Sequence, residues 1–228
     1  MRGKTLGELV VDFRDEAGMA STAALSQNAL AAIKTKIRRT QEVLYHDWSW
    51  PFLRMQRDET LQAGERYYSF PPELDQDRLE QVEVREQPDS DWRPTVYGIT
   101  YWMRNNCDSE LNERRDPVCA WEFFEDNQYE VWPMPATNTG ILRFTGIQKL
   151  PPLREDADRA VLDDRLIVLY AAGEWLQKAK DPSAASVLQM AEAHYRRLKG
   201  NSQFRRVRPI ADGTSTRWVP ITIKAPGT

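Results

Sequence analysis

The stretch from Ser26 to Trp50 constrains the fold most, because it predicts one long amphipathic helix. Its apolar residues recur at steps of three, four or seven and therefore share one helical face: Leu30, Ile33, Ile37, Leu44 and Trp48. Ser26 is suited to cap the start of the helix, and Pro51 cannot continue it. A long helix with one apolar face must bury that face against other parts of the chain.

Helical patterns also occur near both ends of the sequence. Thr5 and Glu8 have the spacing of a capping box, and the apolar face that follows consists of Leu6, Leu9, Val10 and Phe13. Asp163–Lys180 and a second segment that runs to Lys199 predict two helices joined at Asp181-Pro182. Each helix has one apolar stripe, so we expect the two N-terminal helices and this C-terminal hairpin to pack as one bundle.

Residues 51–153 predict strands instead. Turns at Ala63-Gly64-Glu65 and Glu125-Asp126-Asn127 each join two apolar or aromatic runs, which is typical of hairpins. A further strand is predicted at residues 96–101, and the polar residues 105–116 predict a loop. Short gaps between successive strands favour antiparallel pairing.

The predicted fold class is therefore α+β. We expect a helical bundle core, made of two N-terminal helices and a C-terminal helix hairpin, with an inserted antiparallel β region and an extended C-terminal tail. The predicted domains are a helical core at residues 1–50 and 154–200, a β-rich insertion at 51–153 and an extended arm at 201–228.

Composition and motifs exclude several classes of protein. The net charge of −3 argues against a dedicated nucleic-acid binder, and no apolar run has the roughly 20 residues that a membrane span needs. The sequence contains no Gly-rich phosphate loop, nucleophile elbow, zinc-protease helix or Cys-x-x-Cys pair. His46 and His194 each neighbour a tyrosine in a predicted helix, which is more typical of a surface group than of a base. We expect no enzyme activity, no cofactor and no metal.

Aromatic residues are concentrated in the β-rich insertion: Trp92, Tyr97, Tyr101, Trp102, Trp121 and Trp132. Such residues could form a platform that stacks on sugars or bases, although aromatics on strands more commonly belong to the core. A carbohydrate-binding module is therefore an alternative function, and an enzyme of unrecognised type is a third.

Several short motifs together carry a resemblance to a known family. The first is the helix that ends in Trp48-Ser49-Trp50, followed by Gly64 and then Tyr68-Ser69-Phe70-Pro71-Pro72-Glu73-Leu74. Further on come Tyr129-Glu130-Val131-Trp132-Pro133-Met134-Pro135, Leu142-Arg143-Phe144, Leu150-Pro151-Pro152-Leu153, Asp163-Asp164, Tyr170-Ala171-Ala172 and Asp181-Pro182. In this order, as far as Gly200, the chain resembles the head–tail adaptor (connector) proteins of tailed bacteriophages.

The resemblance implies a structural protein of the virion neck that is made in the cytoplasm of a bacterial host. It implies a helical core with a β insertion and a closed ring of about twelve copies. The implied partners are the portal protein, a downstream tail or nozzle protein and double-stranded DNA that passes through the ring. The family has no catalytic residues to transfer.

The segment after Gly200 contains an apolar, β-prone run, Trp218–Ile223, and a short cluster of arginines. An arm of this kind could add as a strand to the exposed edge of a neighbouring subunit or fill a groove on the portal. The candidate docking residues of the arm are Phe204, Arg205, Arg206, Arg208, Trp218, Val219, Ile221 and Ile223.

Overall fold

The computed structural model describes residues 2–19, 26–125 and 127–203, with backbone only at 201–203. The chain divides into two compact units, one formed by Met1–Leu44 with Pro152–Thr228 and the other by Tyr45–Pro151. The helices are α1 (Leu6–Glu16), α2 (Gln27–Asp47), α3 (Tyr101–Asn106), α4 (Asp164–Lys178) and α5 (Ala184–Gln203). The strands are β1 (Arg54–Thr60), β2 (Tyr67–Ser69), β3 (Leu74–Arg85), β4 (Arg93–Pro94), β5 (Val96–Tyr97), β6 (Ala120–Phe124), β7 (Gln128–Trp132) and β8 (Ile141–Gln148).

The first unit is helical. The predicted capping box of α1 is confirmed, since the Glu8 amide donates to the Thr5 hydroxyl and the Thr5 amide donates to the Glu8 carboxylate. The helix α4 packs against both α1 and α5, and Phe13 meets Trp175 edge-to-face at 5.8 Å. Ion pairs of Lys34 with Asp156 and of Lys36 with Glu174 hold α2 to this unit.

The second unit contains two four-stranded sheets, with strand orders β1-β8-β3-β4 and β2-β7-β6-β5. All pairs in the first sheet are antiparallel, whereas β5 runs parallel to β6 in the second sheet. The two sheets pack face to face around an aromatic centre. The Phe144 ring lies 5.5 Å from Phe70, 5.6 Å from Trp121 and 4.9 Å from Tyr129. Phe144 therefore joins the two inner faces.

The predicted fold class is wrong in its central element. The described residues form five α-helices and two four-stranded sheets, and no helical bundle core is evident among them. The predicted β region was purely antiparallel, but the sheet that contains β5 is mixed. An amphipathic face shows only that a helix buries one side, and a helix pair or a sheet can cover it as well as a bundle does.

Two local predictions in the β-rich part are also wrong. The turn at Ala63-Gly64-Glu65 does not form a hairpin, because β1 pairs with β8 and β2 pairs with β7. The strand predicted at residues 96–101 is only β5, after which the chain enters α3. The hairpin predicted around Asp126 is confirmed by the antiparallel pairing of β6 with β7, although Asp126 itself lies outside the described residues. Among the helices that the structure describes, none is long and apolar enough to cross a membrane.

Candidate assembly surface

The most exposed large aromatic side chains of the described residues lie in one short segment. Tyr101 and Trp102 of α3 are 80% and 70% exposed, and Tyr97 and Val96 of β5 are 63% and 58% exposed. We call these four residues the aromatic surface. Apolar side chains this exposed and this close along the chain are typical of a surface that another protein covers.

The strand β5 is the edge of its sheet. The Val96 amide donates to the Cys119 carbonyl at 2.9 Å, and the Gly98 amide donates to the Trp121 carbonyl at 2.8 Å. The register pairs Tyr97 with Trp121, so both side chains lie on the face that packs into the aromatic centre. The Tyr97 ring contacts Trp121 at 5.0 Å, which continues the aromatic core out to the edge of the sheet.

The opposite face of the same sheet carries α3. The Thr100 hydroxyl caps this helix by accepting from the Met103 amide at 3.3 Å. Met103 packs on a small cluster formed by Ile99, Cys107, Ala120 and Trp132. The Trp132 indole donates to the Cys107 carbonyl at 2.9 Å, which fixes the end of the helix. Met103 and Cys107 thus hold α3 against the sheet, and the side chains of Tyr101 and Trp102 remain exposed to solvent.

An ionic cluster around the buried Glu130 fixes α3 further. Arg104 donates to both carboxylate oxygens of Glu130, at 2.9 and 3.2 Å, and to Glu122 at 2.6 Å. Arg66 donates to the same Glu130 at 2.6 Å, and the second oxygen of Glu122 accepts from the Ile99 amide at 2.9 Å. Hydrogen bonding to Glu130 raises the pKa of Arg104, against the opposing effect of burial. A carboxylate that is 2% exposed needs such partners, because an unpaired buried charge is strongly destabilising.

The strand β1 forms an open edge of the other sheet, since it pairs only with β8 within the described part of the chain. Just beyond β1, the Leu61 amide donates to the Gly140 carbonyl at 2.8 Å in the same register as the β1–β8 pair. Along an antiparallel ladder, residue pairs joined by backbone hydrogen bonds alternate with pairs that are not. Counting back from Leu61, the residues of β1 that form backbone hydrogen bonds with β8 are therefore Met55, Arg57 and Glu59. The backbone groups of Gln56, Asp58 and Thr60 therefore point away from the sheet.

The aromatic residues singled out in the sequence do not form one platform. Trp121 and Trp132 are buried in the core, at 5% and 7% exposure. Two guanidinium groups lie over the Trp92 ring, that of Arg143 at 3.9 Å and that of Arg85 at 4.6 Å from the ring centroid. Only Tyr97, Tyr101 and Trp102 belong to the aromatic surface, and no sequence signal separated these three from the rest.

The candidate docking residues of the arm, from Phe204 to Ile223, lie outside the described residues. Among the described residues, Nε2 of His194 lies 2.9 Å from Oδ1 of Asp163. Cys107 and Cys119 are free thiols. No group of three or more His, Cys, Asp or Glu side chains among the described residues could hold a metal ion.

Sequence reasoning missed the cluster of Arg66, Arg104 and Glu130. Arg104 and Glu130 are 26 residues apart in sequence, and only the strand register brings such residues together.

Comparison with known proteins identifies the family. The model of the SU10 adaptor protein family matches residues 4–222. The chain belongs to the SU10 adaptor protein family. No curated protein matches the chain. This SU10 adaptor family member is a phage adaptor, a structural component of the virion that interacts with other phage structural proteins. The match continues past Gly200 into the arm and includes Trp218 and Ile221.

Proposed function

We propose that this adaptor forms a ring in the virion neck, between the portal and the tail, through which double-stranded DNA passes. The single observation that carries the proposal is the family match over residues 4–222. The ring contains about twelve copies, with the portal protein on one side and a tail or nozzle protein on the other. The protein acts without catalysis, which is supported by a sequence that carries none of the common catalytic or cofactor motifs.

The aromatic surface fits a contact between copies of this chain. Ring contacts are heterologous, so each subunit needs two different surfaces that complement each other. A Tyr or Trp buries about 150–250 Å² when it is covered, and a standard interface buries about 800 Å² per partner. Tyr101 and Trp102, which lie side by side on α3, could thus supply roughly a third of one side of a ring contact. We assign this surface to a neighbouring subunit, because an isolated subunit would leave roughly 300 Å² of the side chains of Tyr101 and Trp102 in water.

The charge of the protein fits a passive conduit for DNA. Each phosphate that a wall captures adds salt-dependent affinity and slows sliding. A net charge of −3 disfavours such capture, so we expect negligible binding of duplex DNA at physiological salt. Tight binding that weakens steeply with added salt would contradict the passive conduit.

Light scattering and single-particle imaging of the full chain test the proposal, both alone and with portal-bearing capsids. We expect a closed ring, alone or on the capsid, and attachment of that ring at the portal vertex. A protein that stays monomeric and unattached under both conditions would overturn the proposal. A monomer that binds glycans in an array would instead support the carbohydrate-binding alternative.

A further inference from the structure

We propose that the open edge of β1 receives residues 218–223 of a second copy of this chain as an added parallel strand. The inference rests on the proposed function only in that it requires copies of the chain to assemble. It goes further by naming the two segments that join neighbouring subunits and their relative direction.

Among the four described strands that end a sheet, β1 is the longest. It spans Arg54–Thr60, whereas the other three edge strands, β2, β4 and β5, have only two or three residues each. The amides and carbonyls of Gln56, Asp58 and Thr60 point outward, as the β1–β8 register requires. A row of such backbone groups is a template for another strand.

The side chains of this edge discourage indiscriminate pairing but leave its outward amides accessible. Arg57 donates to the outward carbonyl of its neighbour Gln56 at 3.0 Å. Arg54 pairs with Glu80 at 2.7 Å, and Arg143 binds both carboxylate oxygens of Asp58 at 2.7 Å. Charged side chains on an edge strand protect it from pairing with unrelated strands. The outward amides of Gln56, Asp58 and Thr60 remain available to a strand that brings suitable partners.

The arm has the pattern of an added edge strand. Val219, Ile221 and Ile223 alternate with Trp218, Pro220 and Thr222, so each set shares one face and one hydrogen-bonding direction. Proline has no amide hydrogen and is tolerated only where its nitrogen faces away from the ladder. Pro220 therefore places the first set toward β1 and the second set outward. The same proline prevents a further strand from adding to the arm.

The apolar side chains of the arm decide its direction. In a parallel pair, two residues that lie opposite each other differ in the direction of their backbone groups. The N–H and C=O of one residue point toward the neighbouring strand, and those of the other point away from it. Val96, whose amide donates to Cys119, lies opposite Ala120 in this way. A parallel arm would thus place Val219, Ile221 and Ile223 opposite the residues of β1 that bond to β8, on the face of Phe144. An antiparallel arm would place them on the opposite face, beside the ion pair of Asp58. The parallel arrangement buries more apolar surface, because the β1 residues on the face of Phe144 are half-buried whereas those on the opposite face are exposed.

The length of the arm favours a second copy as its source. Trp218 follows the last described residue, Gln203, by 15 residues and can reach about 50 Å from it. A folded unit of roughly 100 residues has a radius of gyration of about 13 Å, so the arm is long enough to pass beyond the unit from which it starts. The family match extends to residue 222 and so includes most of the proposed strand.

Amide hydrogen exchange of the full chain tests this inference, measured at Gln56, Asp58 and Thr60 over a range of concentrations and with portal-bearing capsids. We expect these amides to exchange rapidly in the dilute monomer and at least 100-fold more slowly in the assembly. Ile221→Pro removes an amide that faces β1 and should abolish the protection. Its matched control, Thr222→Pro, changes an amide that faces outward and should keep the protection.

Two reciprocal variants of the edge complete the experiment. Gln56→Pro should prevent the protection at Asp58 and Thr60, whereas Gln56→Ala, which keeps the backbone amide, should not. Protection already present in the dilute monomer would overturn the second copy as the source, because the arm would then cover its own subunit. A ring that attaches to capsids while these amides exchange rapidly would overturn the strand addition and leave the proposed function intact. A chain that neither assembles nor protects these amides would overturn both.

Discussion

Arg104 holds Glu130 through two hydrogen bonds, of 2.9 and 3.2 Å, and only 2% of Glu130 is exposed. The arginine comes from α3 and the glutamate from β7, so this pair ties a six-residue helix to the middle of a sheet. So short a helix is not stable alone. The ion pair therefore determines where Tyr101 and Trp102 lie, although neither aromatic residue takes part in it.

The first prediction concerns this pair. Arg104→Met should destabilise the protein by about 2 kcal/mol, because it removes charged hydrogen bonds from a buried carboxylate that keeps Arg66 as a partner. Urea denaturation of the purified variant measures the change. Arg93→Met is the matched control, since it breaks an exposed 3.3 Å pair with Glu86 and should change the stability by less than about 0.5 kcal/mol. Equal effects of the two variants would contradict the structural role of Arg104.

The second prediction compares two residues of α2. Ile37 is fully buried, whereas Val43 is 66% exposed on the same helix. Ile37→Asp loses about 1.5–3 kcal/mol of apolar burial and also buries a charge, so the variant should be largely unfolded. Val43→Asp should melt within a few degrees of the unmodified protein. Circular dichroism melting curves of both variants measure the difference, and a stable Ile37→Asp variant would show that this face of α2 is not a core.

The third prediction concerns the contact between α4 and α5. A Cβ atom at Gly173 would lie 2.7 Å from Cδ2 of Leu188, which is closer than two carbon atoms can approach. Gly173→Ala gains about 1 kcal/mol of helix propensity but should lose about 1–3 kcal/mol through overpacking. We expect a net loss of stability in thermal melts. In a Leu188→Ala background the same substitution should become stabilising by about 1 kcal/mol. Loss of equal size in both backgrounds would contradict the close contact.

Local sequence signals predicted single elements well. The capping box at Thr5, the Ser26 cap of α2 and the buried face of α1 are all confirmed by the structure. Each of these signals lies within one or two helical turns, and it depends only on the chemistry of nearby residues. The pairing of distant elements was not predictable in the same way. The amphipathic faces specify that something covers each helix but not what covers it, and so the predicted bundle was wrong.

The same limit explains the errors in the candidate site. Val96, Ile99 and Tyr101 have a spacing that suits a strand, but Thr100 is also a good helix cap and begins α3. The sequence therefore carries a capping signal at Thr100 that favours a helix over the predicted strand. The cluster around Glu130 could not be predicted from the sequence, because a glutamate in a predicted strand is ordinarily expected to face the solvent. Only the register with Glu122 and the position of α3 show that it is buried.

The fourth prediction is a pH dependence at Asp163. Burial raises the pKa of this carboxyl, but hydrogen bonds from His194 and the Leu166 amide lower it more, so the folded pKa is below the unfolded value of 3.8. The resulting stability is fully present above about pH 4 and is lost as the pH falls through the folded pKa. Asp163→Asn should therefore melt at a lower temperature at pH 7, and the difference should shrink toward pH 2. The adjacent Asp164 titrates with the opposite sign, because desolvation raises its pKa.

Comparison of the Asp163→Asn variant with the unmodified protein at each pH removes most of the contribution of Asp164; the part that remains comes from the charge of Asp163, which also raises the pKa of Asp164. A difference in melting temperature that stays constant from pH 7 to pH 2 would show that the charge of Asp163 does not stabilise the fold. In that case Asp163 acts only as the hydrogen-bond acceptor at the start of α4, a role that asparagine can fill.

The last prediction tests the aromatic surface itself. Tyr101→Ser combined with Trp102→Ser removes two side chains that are 80% and 70% exposed, so the melting temperature should change little. Self-association should weaken about 100-fold or more, since central aromatic residues each contribute about 2 kcal/mol or more to an interface. Sedimentation velocity over a range of concentrations measures the effect. Val11→Ser, which changes a 52% exposed residue of α1, is the control and should assemble normally. Unchanged assembly of the double variant would show that a neighbouring subunit does not cover this surface.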